Sequence, residues 1–264
     1  MPSWSDGEIT TDGVRTRFVR TGGDGPAVIL LHGLMGSGAC WSPLARALEA
    51  EFDVVMPDAR GHGSSDAPEV GYRYHELAAD VLGLVRGLEL VRPVYVGHSM
   101  GGMTAAVAAQ IGDGNLRGLV LVDPTFIGPD RQREVWESDV ADQHRRACAT
   151  PKDELLVDAR ARHPNRSPET LERQVEARLN TCLSALDILA PPNPDFGVLV
   201  RGISVPTLLI IGDAPVVSLE LAEELGRINP RVRVVQIPNA GHGLPFDQPE
   251  HLGRVVGSFL RELT

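Results

Sequence analysis

The feature that most constrains the fold is the pentapeptide GHSMG at residues 97–101. A β-branched run, VYV, precedes it at 94–96, and a run of small residues follows it at 102–109. This order predicts a strand, a sharp turn and a helix, with Ser99 in a strained conformation and glycines where the strand and the helix approach closely. The dipole and free N–H groups of the helix N-terminus favour developing negative charge. The pattern therefore predicts a nucleophilic serine; a glycine-rich turn without chemistry is the alternative.

Strands and helices alternate along most of the chain. Continuous apolar runs predict strands buried on both faces, and apolar residues at helical spacing predict amphipathic helices. The predicted strands lie at 8–20 (a hairpin around Asp12-Gly13), 26–31, 53–57, 94–96, 119–122, 205–211 and 232–237, and the predicted helices, besides the one after Ser99, at 41–52, 74–90, 219–228 and 248–263. This order implies an α/β fold with a doubly wound, mostly parallel sheet and right-handed crossovers.

Residues 124–202 interrupt this alternation. Glu, Arg and Gln become more frequent there, and short amphipathic stretches are separated or closed by prolines. We therefore predict a helical insertion. The chain then divides into a core, formed by residues 1–123 and 203–264, and an inserted helical unit at 124–202.

A nucleophilic serine needs a general base close to it. His242 lies after the last predicted strand, on the short loop NAGHG at 239–243. In a parallel sheet the carboxyl ends of the strands share one edge, so this loop can reach the turn that holds Ser99. Three of the eight histidines, His32, His62 and His98, fall in loops at the same edge. His242 is the predicted base, and a purely structural loop histidine is the alternative.

Charge and composition exclude several classes of protein. The formal net charge is −10 and Lys152 is the only lysine, which argues against binding to nucleic acid or to an anionic membrane and favours a small, neutral, apolar substrate. No apolar run is long enough to span a bilayer, and the first eight residues lack the pattern of a secretory signal. Three cysteines without metal-ligand spacing fit free thiols in a reducing compartment. We expect a cytoplasmic protein.

Four short motifs follow one another in the chain. They are HGL at 32–34, DARGHGSS at 58–65, GHSMGG at 97–102 and GH at 241–242. Together they make nearly the whole chain resemble the α/β-hydrolase family. The resemblance implies that the backbone N–H groups of Leu34 and Met100 form an oxyanion hole. It also implies that the insertion at 124–202 corresponds in position to the family's variable cap.

The acid behind the histidine departs from the family's usual pattern. In most members it follows the seventh strand as Gly-x-x-Asp, but here the sequence at 212–215 is GDAP, with Pro215 at the expected position. Asp213, in that loop, is one candidate. Asp123, after the sixth strand, is the other and the one we favour, because some members, such as certain haloalkane dehalogenases, carry the acid there. Either carboxylate would fix the tautomer of His242 and stabilise its protonated form.

These inferences lead to a serine hydrolase without cofactor or metal that cleaves a carboxylic ester or lactone. Ser99 would attack the carbonyl and His242 would carry the proton. A C–C bond hydrolase or a thioesterase with the same residues is one alternative, and a hydrolase-fold ligand receptor with slow or single turnover is another. Phe126, Ile127 and Trp136 are predicted to line the substrate pocket, or else to form the core of the cap.

Overall fold

The computed structural model describes residues 4–112 and 114–264. Met1–Ser3, part of the segment in which no secretory signal was found, and Asp113 lie outside the described residues. Eight strands of the described chain form one sheet in the order β1-β2-β4-β3-β5-β6-β7-β8. They are β1 (Ser5–Thr11), β2 (Val14–Arg20), β3 (Ala27–Leu31), β4 (Asp53–Pro57), β5 (Val94–His98), β6 (Gly118–Val122), β7 (Thr207–Ile211) and β8 (Val232–Gln236).

The sheet is parallel except at one edge. β1 and β2 form the predicted hairpin, and β2 pairs antiparallel with β4. Every pairing from β4 to β8 is parallel, which confirms the predicted fold class. Strands β3 to β7 are buried along their whole length, as continuous apolar runs require in a sheet covered on both faces.

The described residues contain eleven α-helices and two 3₁₀ helices. They are α1 (Ser42–Leu48), α2 (Tyr74–Gly87), α3 (Met100–Ile111), α4 (Pro129–Trp136), α5 (Val140–Ala149), α6 (Lys152–Arg162), α7 (Pro168–Leu179), α8 (Phe196–Gly202), α9 (Leu219–Ile228), α10 (Leu244–Asp247), α11 (Pro249–Glu262) and the 3₁₀ helices Gly38–Trp41 and Leu183–Leu189. Two helices end three or four residues earlier than predicted. α1 ends at Leu48, and residues 49–52 turn into β4; α2 ends at Gly87, because Glu89 adopts a left-handed φ of 52°.

Two apolar cores lie on the two faces of the sheet. Ile29 and Leu31 of β3 point into the core that α2, α3 and α9 cover. Val28 and Leu30 of the same strand point into the core that α1 and α11 cover. This alternation follows from the two-residue period of a strand, and it leaves the carboxyl ends of the strands free to carry loops.

The inserted segment is attached to the sheet edge at its middle. Its helices α6 and α7 share a small apolar core that includes Leu171 and Val175. Immediately after α7, Thr181 forms an isolated β-bridge with His62, and the N–H of Cys182 donates to the carbonyl of Gly61 at 2.8 Å. The last helix of the segment, α8, packs its Leu199 and Val200 into the main core instead. No helix among the described residues is both long and apolar enough to cross a membrane.

Candidate active site

Ser99 lies in a strained turn between β5 and α3. Its backbone angles are φ 54° and ψ −117°, a conformation that non-glycine residues rarely adopt. A Cβ atom on Gly97 would lie 2.2 Å from the carbonyl oxygen of Gly101, and one on Gly101 would lie 2.2 Å from that of Leu31. The two glycines therefore allow the strand, the turn and the helix to come close enough to hold the serine in this conformation.

His242 connects Ser99 with Asp123. Its Nε2 is 2.9 Å from the hydroxyl of Ser99, and its Nδ1 is 2.6 Å from Oδ2 of Asp123. Because an ionised carboxylate only accepts hydrogen bonds, Nδ1 carries the proton and Nε2 is left to accept the proton of the serine hydroxyl. The three residues come from the carboxyl ends of β5 and β6 and from the loop after β8.

Asp123 is fully buried and its carboxylate is held by backbone donors. Both oxygens accept the N–H of Val216, at 3.0 and 2.9 Å, and Oδ1 also accepts the N–H of Val217 at 2.9 Å. The residue has a φ of 40°, another left-handed conformation of a non-glycine residue. These donors hold the carboxyl group against the imidazole.

Asp213, the other predicted candidate for the acid, is not brought to His242. It is exposed, and its Oδ2 accepts the backbone N–H of Asn239 at 2.6 Å. Its own N–H donates to the carbonyl of Ala240 at 2.7 Å, so both contacts fix the loop that leads to His242. The segment after Pro215 then turns its amides toward Asp123, which explains how the departure from the Gly-x-x-Asp pattern is accommodated.

The two predicted oxyanion donors border the same space as the serine. Met100 is the first residue of α3, where an N–H has no acceptor within the helix. Leu34 lies on the loop after β3, which comes so close to the serine turn that a Cβ on Gly33 would lie 3.2 Å from Cβ of Ser99. Leu34, Met100, Ser99 and His242 line one cavity together.

Two buried histidines shape the loop that carries Leu34. The Nε2 of His32 accepts the N–H of Ala59 at 2.9 Å, and the Nε2 of His62 accepts the N–H of Met35 at 3.2 Å. Each Nδ1 faces a backbone carbonyl, so in each neutral imidazole Nδ1 donates one hydrogen bond and Nε2 accepts one. Burial lowers the pKa of His32 to about 4 and that of His62 to about 3. The sequence indicates that both histidines lie in loops, but it does not indicate which backbone groups they bind.

His98 supports the loop that carries His242. Its Nε2 is 2.7 Å from the carbonyl oxygen of His242 and donates to it, while the side chain is buried under the serine turn. Burial, and then the neighbouring His242, lower the pKa of His98 to about 3. A neutral His98 donates its one proton to this carbonyl and positions the backbone of residue 242.

Two cavities meet at Ser99 and His242. The larger, of about 240 Å³, has walls from the loop after β3, from Trp41 and from α7. The smaller, of about 190 Å³, has walls from α4 and the 3₁₀ helix Leu183–Leu189. Of the three residues predicted to line the substrate pocket, Ile127 lines the smaller cavity, and Phe126 and Trp136 line neither.

The positions of Phe126 and Trp136 have simple physical reasons. Phe126 is 1% exposed and stacks on Phe196 with ring centroids 5.5 Å apart, so it is a core residue. Trp136, at the end of α4, is 46% exposed.

Among the described residues no group of three or more His, Cys, Asp or Glu could hold a metal ion.

Comparisons with known proteins agree with this architecture. A family model described as alpha/beta hydrolase fold matches residues 26–249. N-formylmaleamate deformylase from Pseudomonas putida is 31% identical over 272 residues, covering 96% of each chain. 2-(acetamidomethylene)succinate hydrolase from Mesorhizobium japonicum is 27% identical over 263 residues, covering 93% of this chain and 91% of that one. The crystal structure of an E-2-(acetamidomethylene)succinate hydrolase matches with a TM-score of 0.83 and 23% identity, covering 98% of this chain and 100% of that one.

Proposed function

Because the chain belongs to the α/β-hydrolase fold family, we propose that it is a serine hydrolase that cleaves a carboxylic ester or lactone through an acyl-enzyme. One observation carries the proposal. The hydroxyl of Ser99, the imidazole of His242 and the carboxylate of Asp123 form a continuous hydrogen-bonded chain of 2.9 and 2.6 Å. That is the geometry in which a histidine can remove the proton of a serine as the serine attacks a carbonyl.

Acylation uses all of these groups at once. His242 takes the proton from Ser99 while the serine oxygen adds to the substrate carbonyl. The amides of Leu34 and Met100 donate to the resulting oxyanion, and Asp123 stabilises the protonated imidazole. The tetrahedral intermediate then collapses, and His242 returns the proton to the leaving alcohol.

Deacylation repeats these steps with water. His242 removes a proton from a water molecule that attacks the acyl-enzyme, and the same amides hold the second oxyanion. Ser99 leaves with its proton restored. Because the two cavities meet at Ser99, one can hold the acyl part of the substrate while the other holds the alcohol part.

We propose that residues 124–202 act as the cap of this site. Side chains of α4 and α7 and of the 3₁₀ helix Leu183–Leu189 form much of the walls of the two cavities. We also propose that the chain divides into a core, formed by residues 1–123 and 203–264, and this cap.

We propose a cytoplasmic location, because three free cysteines fit a reducing compartment.

Replacement of the nucleophile tests the mechanism. We expect Ser99→Ala to lower kcat on 4-nitrophenyl acetate by a factor of about 10⁴ or more, because no nucleophile remains to form the acyl-enzyme. Steady-state hydrolysis checks this, and circular dichroism checks that the variant is folded. Turnover close to wild type in a folded Ser99→Ala would refute the proposal.

A second candidate reaction is hydrolysis of an N-acyl bond. The relatives named above are called a deformylase and an acetamidomethylene hydrolase, and the first shares 31% identity over nearly the whole length of both chains. The same serine could attack an amide carbonyl, and the same histidine could protonate the leaving nitrogen. Assays of formamides and acetamides beside esters distinguish the two reactions.

The same assays separate the remaining alternatives. Thioesters and vinylogous diketones test for a thioesterase and for a C–C bond hydrolase with the same residues. A ligand receptor would release product in a single burst without a steady state, whereas an enzyme continues to turn over.

A further inference from the structure

An arginine without a counter-charge lines the larger cavity. Arg178 lies on α7 and shares the lining of that cavity with Ser99 and His242. Within the described part of the chain, one hydrogen bond holds its guanidinium, from Nη2 to the carbonyl oxygen of Gln143 at 3.1 Å, and its buried Nε has no hydrogen-bond partner. An unpaired buried N–H group costs free energy, so this guanidinium is suited to an additional acceptor.

No acidic side chain among the described residues forms an ion pair with Arg178. No Asp or Glu is among the described residues that line the cavity, and none of their ion pairs includes Arg178. Burial, and then the positive charge of Arg162, lower the pKa of Arg178. Among the described residues that line the cavity, Arg178 is thus the one arginine, lysine or acidic side chain, although the chain has a net charge of −10.

Two further hydrogen-bond donors line the same cavity. Trp41 is 3% exposed, and its indole N–H has no partner. Gln174 lies one helical turn before Arg178, and its side-chain oxygen accepts from Nη1 of Arg166 at 3.2 Å. Arg166 is itself paired with Asp247, with Nη2 and Oδ1 2.7 Å apart. The carbonyl of Gln174 is thereby occupied, and its NH₂ group is the part left to donate to a ligand.

The smaller cavity lacks this combination. Arg131 lines it, but its Nη1 is paired with Glu134 at 2.7 Å, and both side chains are exposed. An anion would therefore gain little from Arg131, since the charge of that residue is already compensated and screened by water.

We propose that the larger cavity is a carboxylate subsite in which Arg178, with Trp41 and Gln174, binds an acid group of the substrate remote from the bond that is cleaved. The inference rests on the proposed function and deepens it: the natural substrate is an acyl compound that carries a second, anionic group. It differs from the neutral substrate predicted from net charge, because the charge that a substrate meets is that of the cavity wall.

Matched pairs of substrates test the subsite. The 4-nitrophenyl hemiesters of glutaric and adipic acid carry a carboxylate that 4-nitrophenyl pentanoate and hexanoate lack. Likewise, 4-acetoxybenzoate is compared with 4-acetoxybenzamide, in case the acid group is on the alcohol part. We expect Arg178→Gln to lower kcat/KM about tenfold to hundredfold for the charged members of at least one series and by less than about threefold for the neutral ones.

Two more variants distinguish charge from structure. Arg178→Lys keeps a cation and should restore part of the preference for the charged substrate. Arg145→Gln removes an exposed arginine of α5, which is paired with Asp142, and should leave the preference unchanged. An equal loss for charged and neutral substrates in Arg178→Gln would mean that the residue only supports α7, and it would overturn the subsite.

Binding gives a result that does not depend on turnover. In Ser99→Ala, calorimetry should detect glutarate more tightly bound than glutaramide, and addition of Arg178→Gln should weaken glutarate about tenfold or more. If glutarate binds no better than glutaramide, the subsite is wrong even where esters are hydrolysed. If binding follows the expectation but no substrate is hydrolysed in a Ser99-dependent way, the proposed function fails and the subsite stands.

Discussion

At the scale of single residues, the proposed acid of the site illustrates what a sequence can and cannot indicate. Asp123 and Asp213 both follow buried strands and both precede His242 in the chain. Asp123 meets the imidazole because the amides of Val216 and Val217 turn toward it, whereas Asp213 binds the backbone at Asn239. These are contacts between distant segments, and neither spacing nor residue type contains them.

The two aspartates should respond very differently to the same change. Asp123→Asn should lower kcat by a factor of about 10³ to 10⁴, because an amide cannot hold the imidazole in the tautomer that accepts a proton from the serine. Asp213→Asn is the matched control and should change kcat by less than about threefold. Steady-state kinetics on one ester compares them, and a larger loss in Asp213→Asn would exclude Asp123 as the acid.

The sequence contains less information about which residues line the two cavities than about the turn at Ser99. Ser99 and His242 lie in short motifs whose geometry is local. Arg178 and Gln174 are spaced by four residues on α7, which places them on one face of a helix, but the direction of that face depends on packing against the segment Gly38–Trp41. Their side chains were therefore not expected in the cavity.

At the scale of elements, the strand, turn and helix around Ser99 depend on glycine at two positions. Gly101→Ala would place a methyl group 2.2 Å from the carbonyl oxygen of Leu31, where the backbone of β3 cannot give way. We expect a loss of about 3 kcal/mol or more in the free energy of unfolding, measured by urea denaturation.

Gly128, a glycine outside the serine turn, provides the control for this prediction. Gly128 has a φ of −71° at the N-cap of α4, and a Cβ there would meet no atom within 4 Å. Gly128→Ala should therefore change the free energy of unfolding by less than about 1 kcal/mol. Equal stabilities of the two alanine variants would contradict the close approach at Gly101.

The alternation of elements could be predicted well from the sequence, since buried parallel strands are continuous apolar runs. The ends of elements were less accurate. α2 ends three residues earlier than its apolar pattern because of the left-handed residue Glu89, and β7 begins after Pro206, which has no N–H to donate to the sheet. The residues at which helices and strands begin or end depend on single backbone conformations rather than on periodicity.

At the scale of the whole molecule, three buried neutral histidines connect stability to pH. His32, His62 and His98 have a pKa of about 4, about 3 and about 3 in the folded protein, against about 6.5 in an unfolded chain. Below pH 6.5 the unfolded chain therefore binds more protons than the folded one, and the free energy of unfolding falls as the pH falls. The combined slope reaches at most about 4 kcal/mol per pH unit, from about 1.4 for each histidine.

Urea denaturation at pH 7.5 and pH 5.5 checks this dependence. The wild type should be less stable at the lower pH, and His62→Gln should reduce the difference between the two values. His75→Gln, which replaces an exposed histidine of α2, is the control and should keep the wild-type difference. An equal free energy of unfolding of the wild type at both pH values would show that these three histidines do not make the stability depend on pH.

The order of the reacting groups along the chain has a consequence for synthesis. The proposed nucleophile is residue 99 and the proposed acid is residue 123, but the proposed base, residue 242, follows the last strand of the sheet. A serine hydroxyl without a base is a weak nucleophile. A growing polypeptide therefore carries Ser99 without its proposed base until the loop after β8 has been synthesised and β8 has joined the sheet.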